Sequence, residues 1–437
     1  MQLNNRLWRN ALATAQTVAA ISCASVGPAT NPASGQTRVG SETRQISATE
    51  GDSATGVKVA SAANNAFGLQ LYGRLKEKGN LALSPASLVM SLSTVYLGAA
   101  GETEREIATT LKLESADRAA VEKGFELFAT RELATKTRSE AVQLSLANCL
   151  WVRPDRSIRP GFEQIVKNLG GQLKKADFNQ DTARQTVNRW VAETTHGKIQ
   201  QLFSAEDLSD QTEFVLGSAL YFRGLWAAPF LAQNTKSLPF HRANGSADAV
   251  ATMHQVTKLP YAHTNRCQIL KMPYGESNQP NGPTPFSMVL ILPSDPRAAD
   301  LPSDFVSEYL KVGAELKPTK VSSFIPKFKI ECRLPLSKTL AAMGMKQAFT
   351  DRADFSGIVD KPPPVRLQQL VHQAFVSVDE RGTEAAAATG TQFYPAGASL
   401  GKPVEFRADH PFLFLIEVRH GEDTTILFLG RVIDPKE

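Results

Sequence analysis

Glu380-Arg381-Gly382-Thr383-Glu384-Ala385-Ala386-Ala387-Ala388-Thr389-Gly390-Thr391 opens a stretch that runs on to Lys402 and is small, polar and almost without bulk. Gly382 gives the backbone conformations closed to other residues. Beyond it the side chains are small enough for the segment to lie in solvent or to slide between two strands. In strand geometry alternate side chains share a face. Glu384 then goes with Ala386, Ala388 and Gly390, while Thr383, Ala385, Ala387, Thr389 and Thr391 line the other side. With the charged face toward solvent, the opposite face buries only small groups, and a closed sheet can open to admit it without overpacking. A flexible linker is the bland alternative, since such a run lacks the apolar mass to fold alone. The flanks argue against it: Ala374–Asp379 alternates like a strand before the run, and Phe406, His410-Pro411-Phe412 and two apolar strands follow it. A loop strung between two strands of a packed body fits these neighbours better.

The chain has 437 residues, enough for two or three domains or one large one. A formal charge of +5 is mild for this length, and Lys and Arg are interleaved with acids, so no nucleic-acid partner is expected. Lys167, Lys174 and Lys175 could attract a polyanion, but a solvated face is the simpler reading. The cysteines Cys23, Cys149, Cys267 and Cys332 have no zinc or redox spacing. Three remain if Cys23 leaves with a signal or carries a lipid, and they are expected to be buried thiols. Neither a metal nor a cofactor is expected.

Arg6 and Arg9 precede a diluted apolar run, Ala11–Ile21, and Ser22-Cys23-Ala24 offers small residues for cleavage. Residues 1–26 therefore read as an export signal or a lipoprotein-type segment, implying an extracellular or periplasmic and even lipid-anchored protein; a cytoplasmic extension is the alternative. Residues 27–56, rich in Ser, Thr, Gly and Ala, read as a linker. No run of about twenty apolar residues spans a membrane. The body, residues 57–437, opens with Ala63, Phe67, Leu71 and Leu75 at helical spacing and a stop at Gly79. Ser84-Pro85 marks a helix start, and Thr103 with Glu106 predicts a capping box for the next helix. Asn148–Val152 reads as a strand, Val187–Ile199 as a helix and its exit, and Phe286–Leu292 as a strand buried on both faces. Phe412–Val418 and Thr425–Val432, joined by turn residues, predict a buried hairpin. No internal repeat or second domain is visible.

Several of these segments together resemble one family. Val378–Ala388 resembles the hinge of an inhibitory serpin, and Leu83-Ser84-Pro85-Ala86-Ser87 with Gly98–Thr103 is similar to the serpin amino-terminal signature. The segments 148–152, 187–199, 214–226, 324–328 and 343–358 match in the right order, so the resemblance covers roughly residues 60–435. It implies an α+β fold: a single large domain with three β-sheets, a helix bundle and an exposed reactive-centre loop at about 380–402. It further implies a serine-type endopeptidase inhibitor and not an enzyme. On that resemblance a protease would cleave the loop, form an acyl-enzyme and be dragged along as the loop inserts into the main sheet.

Residue by residue, the resemblance assigns the hinge to Glu380, Arg381, Gly382, Thr383, Glu384 and Ala385, Ala386, Ala387 and Ala388. It pairs Lys327 with Glu380 near Trp226 at the top of the sheet, and it assigns Ser84, Ser87, Ser218 and His372 to a polar cluster that controls sheet opening. Ser218 departs from the family, which usually carries Asn there. Counting from Gly382 puts the reactive bond between Ala396 and Gly397, and counting back from Pro411-Phe412 puts it between Leu400 and Gly401; the distal loop is longer than usual by about four residues. The hinge count is preferred, because the sheet sets the inserted length. No Lys or Arg lies between Gly382 and Leu400, so the expected partner is a protease with a small apolar pocket, elastase-like or subtilisin-like, with a cysteine protease as the alternative. A monomer is expected. The competing readings are a non-inhibitory carrier or chaperone of the same fold and a hydrolase. For the latter the sequence holds no Gly-x-Ser-x-Gly, His-Glu-x-x-His or Cys-x-x-Cys motif and no phosphate-binding glycine loop.

Overall fold

The computed structural model describes residues 50–75, 79–114, 117–131, 141–178, 181–275, 285–298, 301–360, 365–383 and 401–436. Ala48–Glu437 forms one compact unit. The segment 1–47, with the export reading and most of the linker, lies outside the described residues.

The helices are α1 (Glu50–Arg74), α2 (Pro85–Gly98), α3 (Gly101–Thr110), α4 (Arg118–Arg131), α5 (Phe162–Asn168), α6 (Asp181–Thr194), α7 (Asp304–Val312) and α8 (Ser337–Ala342). The strands of one sheet are β1 (Leu81–Leu83), β5 (Lys236–His241), β6 (Ala247–His263), β7 (Cys267–Pro273), β8 (Phe286–Pro293), β9 (Lys317–Pro326), β13 (Val404–Arg407), β14 (Phe412–His420) and β15 (Asp423–Val432). The second sheet, called the main sheet below, runs β10-β11-β12-β4-β2-β3. Its members are β2 (Val142–Val152), β3 (Gln172–Lys175), β4 (Phe214–Leu225), β10 (Phe328–Pro335), β11 (Leu367–Val378) and β12 (Gly382–Thr383).

Among the described residues two sheets stand where three were expected. The reason is the length of β6: residues 252–261 pair with β9 while residues 261–263 pair with β7, so one ladder carries two groups of strands without a break. The expected carboxy-terminal hairpin is present as β14 and β15, paired Phe412↔Val432 to His420↔Asp423. β8 is buried along its whole length.

Local sequence explains where α2 starts. The Ser84 side chain accepts a hydrogen bond from the Ser87 amide at 3.1 Å and Pro85 occupies the first turn, where no N–H is missed. All of α2 is buried, against the inner face of the main sheet. On the outer face α6 covers a separate apolar cluster in which Trp151 meets Trp190 edge to face at 5.0 Å. Two boundaries differ from expectation. The helix expected near Val57 begins at Glu50. The capping box at Thr103 and Glu106 is absent, because α3 starts at Gly101, φ +58°, with Ala100 as its N-cap, three residues earlier. Thr103 instead accepts from the Asp354 amide at 2.9 Å, and Glu106 accepts from the Lys346 and Gln347 amides at 2.7 and 2.6 Å.

Candidate functional site

The central seam of the main sheet changes character along its length. In the lower half β11 and β4 pair directly and in parallel, from Leu367↔Phe214 to Ala374↔Leu220. At the top they are separated by β12, where Gly382 pairs with Leu225 and Thr383 with both Gly224 and Val378. Between the two regions no ladder joins Tyr221–Arg223 to Phe375–Ser377 among the described residues. Gly382 and Thr383, directly after Asp379–Arg381, thus already form a strand in the sheet.

A tight turn delivers them there. The Asp379 carboxylate accepts from the Arg381 and Gly382 amides at 2.8 and 3.2 Å, and the Asp379 amide donates to the Gly382 carbonyl at 3.0 Å. The turn's outer carbonyls are also taken: Trp226 N–H donates to Arg381 O and Phe230 N–H to Glu380 O, both at 2.8 Å. The Trp226 indole N–H reaches Asp379 O at 3.0 Å while its ring stacks on Tyr274 at 4.6 Å. Gly382 is required here for closeness and not for an unusual φ: a Cβ at this position would stand 2.0 Å from the Gly224 carbonyl oxygen. Thr383 is 1 % exposed, and its hydroxyl meets the Tyr274 hydroxyl at 2.6 Å.

Lys327 and Glu380 are brought together. Lys327 Nζ lies 2.9 Å from one carboxylate oxygen of Glu380, and the Thr235 hydroxyl donates to the other at 2.8 Å. Burial alone would raise the Glu380 carboxyl, but the hydrogen bonds from Lys327, the backbone and Thr235 outweigh it and hold it below the ordinary range. Since the Lys327 side chain is 39 % exposed, this clasp is worth a surface pair's contribution and no more.

Lower in the seam the structure also gathers Ser84, Ser87, Ser218 and His372, all buried. His372 Nε2 accepts from the Ser84 amide at 2.9 Å, and Nδ1 donates to the Ser218 carbonyl at 3.0 Å. Because an amide can only donate and a carbonyl only accept, these two bonds fix a neutral imidazole with its proton on Nδ1. Burial pushes its pKa down to about 3, against the opposing Ser218 carbonyl bond.

One member of the cluster was missed from sequence. Asn148, on β2 beside Ser218, accepts from the Ser87 hydroxyl at 2.9 Å and donates to the Ser87 carbonyl at 2.9 Å. With the Ser87 proton committed to Asn148, the 2.8 Å contact between Ser87 and Ser218 hydroxyls leaves Ser218 as donor. An amide is thus present although residue 218 does not carry it. Its signal was the polar residue in the middle of Leu146–Val152, an otherwise apolar strand.

Glu384, Ala385, Ala386, Ala387 and Ala388 lie outside the described residues, as do Ala396, Gly397 and Leu400; Gly401 is exposed. Cys149 and Cys267 are buried thiols, and Cys332 is a half-buried one.

The serpin family model (serine protease inhibitor) matches residues 62–435. This chain belongs to the serpin family. An uncharacterized serpin-like protein of Methanosarcina mazei is 31 % identical, with 88 % of this chain and 89 % of that protein covered. Leukocyte elastase inhibitor A of Mus musculus is 32 % identical over 86 % of this serpin and 99 % of its own length. Among solved structures, Serpin48 of the insect Tenebrio molitor, described as highly specific, superposes with a TM-score of 0.71 at 31 % identity, covering 85 % of this serpin and 97 % of that chain. Human thyroxine-binding globulin complexed with its ligand superposes at 0.75 and 27 % identity, covering 88 % and 100 %. The same fold thus occurs in a protein named for binding thyroxine and in one named as an elastase inhibitor.

Proposed function

We propose that this serpin is a suicide-substrate inhibitor of a serine endopeptidase, whose loop cleavage is followed by insertion between β11 and β4. The observation that carries the reading is β12: a strand already started in the seam, antiparallel to both neighbours. Extending its two registers sets residues 384–393 against 377–368 of β11 and 223–214 of β4. Both extensions independently set Thr389 beside His372 and Ser218, which are partners of each other in the closed seam. Small residues at Ala385, Ala387 and Thr389 on the inward face suit this passage. Insertion of about a dozen residues, at roughly 0.5–1.5 kcal/mol net per main-chain bond, is worth on the order of ten kcal/mol or more. That is comparable with a whole domain's stability.

The chemistry is borrowed. The protease's nucleophile attacks the reactive bond, read as Ala396–Gly397 with Leu400–Gly401 as the second choice, and the Gly-led fragment leaves. Distortion of the dragged protease prevents hydrolysis of the ester. The small residue ahead of the bond, together with relatives named leukocyte elastase inhibitors, favours an elastase-like or subtilisin-like target. The segment 1–26 supports an extracellular or periplasmic location. Thyroxine-binding globulin keeps a non-inhibitory carrier as the second reading. Mixing with elastase, subtilisin, trypsin and papain, followed by denaturing electrophoresis, tests the proposal. A denaturant-stable complex with elastase or subtilisin is expected, with a released fragment beginning at Gly397. A start at Gly401 moves the site, and cleavage without any complex removes the inhibitory reading.

A further inference from the structure

A groove of about 590 Å³ lies on the outer face of the main sheet, away from the polar cluster. One wall is residues 197–204, the connection from α6 toward β4; the floor is β10 and β11. Along β10, Lys329, Glu331 and Arg333 alternate onto this face, and on β11 Gln373 and Phe375 do the same. Lys329 Nζ stands 5.4 Å from the centre of the Phe375 ring and Lys198 Nζ 5.9 Å from it, so two ammonium groups converge over one aromatic floor. Lys329 has no carboxylate within ion-pair distance among the described residues. Arg333 is held differently: its Nε donates to the Leu202 carbonyl at 2.8 Å and its guanidinium pairs with Asp207, which pins the wall to the floor.

The decisive atom is Gln373 Oε1. Gln373 is 3 % exposed, and its Nε2 donates to Glu331 at 3.0 Å, yet Oε1 is buried with no hydrogen-bond partner. A buried acceptor left unmade is costly, and Gln373 lines the groove.

We propose that the groove is a binding site for a small anion that also carries a hydroxyl, of the phosphorylated-sugar class. Its phosphate bridges Lys198 and Lys329, and a hydroxyl donates to Gln373 Oε1. The groove volume lies within the usual range for small-molecule sites. Bound there, the ligand joins the segment leading into β4 to β10 and β11. The site requires no protease and no loop cleavage, so its test is independent of the inhibitory reading.

Titration calorimetry on the uncut full chain compares glucose 6-phosphate, inorganic phosphate and glucose. Glucose 6-phosphate is expected to bind most tightly and glucose least. Lys329→Gln, on an exposed side chain, should weaken both phosphate compounds about tenfold, the loss of one charge-assisted contact. Gln373→Met should weaken glucose 6-phosphate and leave inorganic phosphate unchanged, with a circular-dichroism melt confirming that both variants fold. No binding of glucose 6-phosphate to the parent chain overturns the proposal, as does binding that ignores Lys329→Gln. Equal affinity for inorganic phosphate and glucose 6-phosphate overturns the hydroxyl assignment and with it the ligand class.

Discussion

The two halves of the β11/β4 seam differ in what holds them. At the top, β12 keeps the strands apart and its turn is clasped by the partly exposed Lys327–Glu380 pair, by Thr235 and by the buried Trp226 indole. Below, the strands touch, and the cluster of Ser84, Ser87, Asn148, Ser218 and His372 is buried against α2. The Lys327–Glu380 pair is screened and weak. The lower contacts sit where an unmade hydrogen bond costs about 1–3 kcal/mol. We propose that the seam is started beside a weak clasp and latched by the buried cluster, so that the sheet stays closed until something pulls on the strand already in it.

The largest expected effect comes from breaking the top. Thr383→Arg puts a cation where the hydroxyl now meets Tyr274 in a buried site, at a cost of several kcal/mol if it stays there. We predict that β12 is expelled and that the variant is cleaved as a substrate. Inhibition stoichiometry checks this: one-for-one trapping by Thr383→Arg would show that Thr383 does not need to enter the sheet.

Next comes the latch. His372 is neutral in the folded chain with a pKa of about 3, and 6.5 is its ordinary value. Between those values the unfolded chain holds the extra proton, so stability is full above about pH 6.5 and falls as pH drops, by at most about 1.4 kcal/mol per pH unit. Urea melts from pH 7.5 to 4.5 should show this slope. His372→Asn should flatten it, and an unchanged slope would mean that other groups carry the acid sensitivity.

The smallest effect is the clasp. Lys327→Met removes a half-exposed ion pair and should cost no more than about 1 kcal/mol. It should also weaken the hold on the hinge turn and speed complex formation modestly. A stability loss several times larger, measured by the same melts, would erase the contrast between the weak clasp and the buried cluster.

How much of this was legible depended on sequence distance. The Ser84-Pro85 helix start, the paired β14 and β15 and the alternation at Thr383 are local patterns, and they read directly. Lys327–Glu380 and the serine-histidine cluster were legible only through the family resemblance, because their members come from separate elements. Asn148 was missed for the same reason: nothing near it in sequence says that it faces Ser87. The capping box failed because Gly101 moved the helix start, and the sheet count failed because pairing along β6 depends on both its partners. Gly382 was read as a flexible hinge, whereas its neighbour across the ladder, the Gly224 carbonyl, is what excludes a side chain. Glu417 is the plainest case. A carboxylate in an apolar strand, it is fully buried, with Lys271 and the Tyr309 hydroxyl each 2.6 Å away. Neither partner is near it in the chain.

The central claim is that a strand started at β12 is kept from running down the seam until the loop is cut. The direct measurement is the thermal midpoint of intact chain against chain cleaved once within residues 391–400 by a protease that does not stay bound. Insertion adds main-chain bonds on two sides, on the order of ten kcal/mol, so the cleaved form should melt far above the intact one. If the two forms melt together, the loop does not insert and the account of the seam is contradicted.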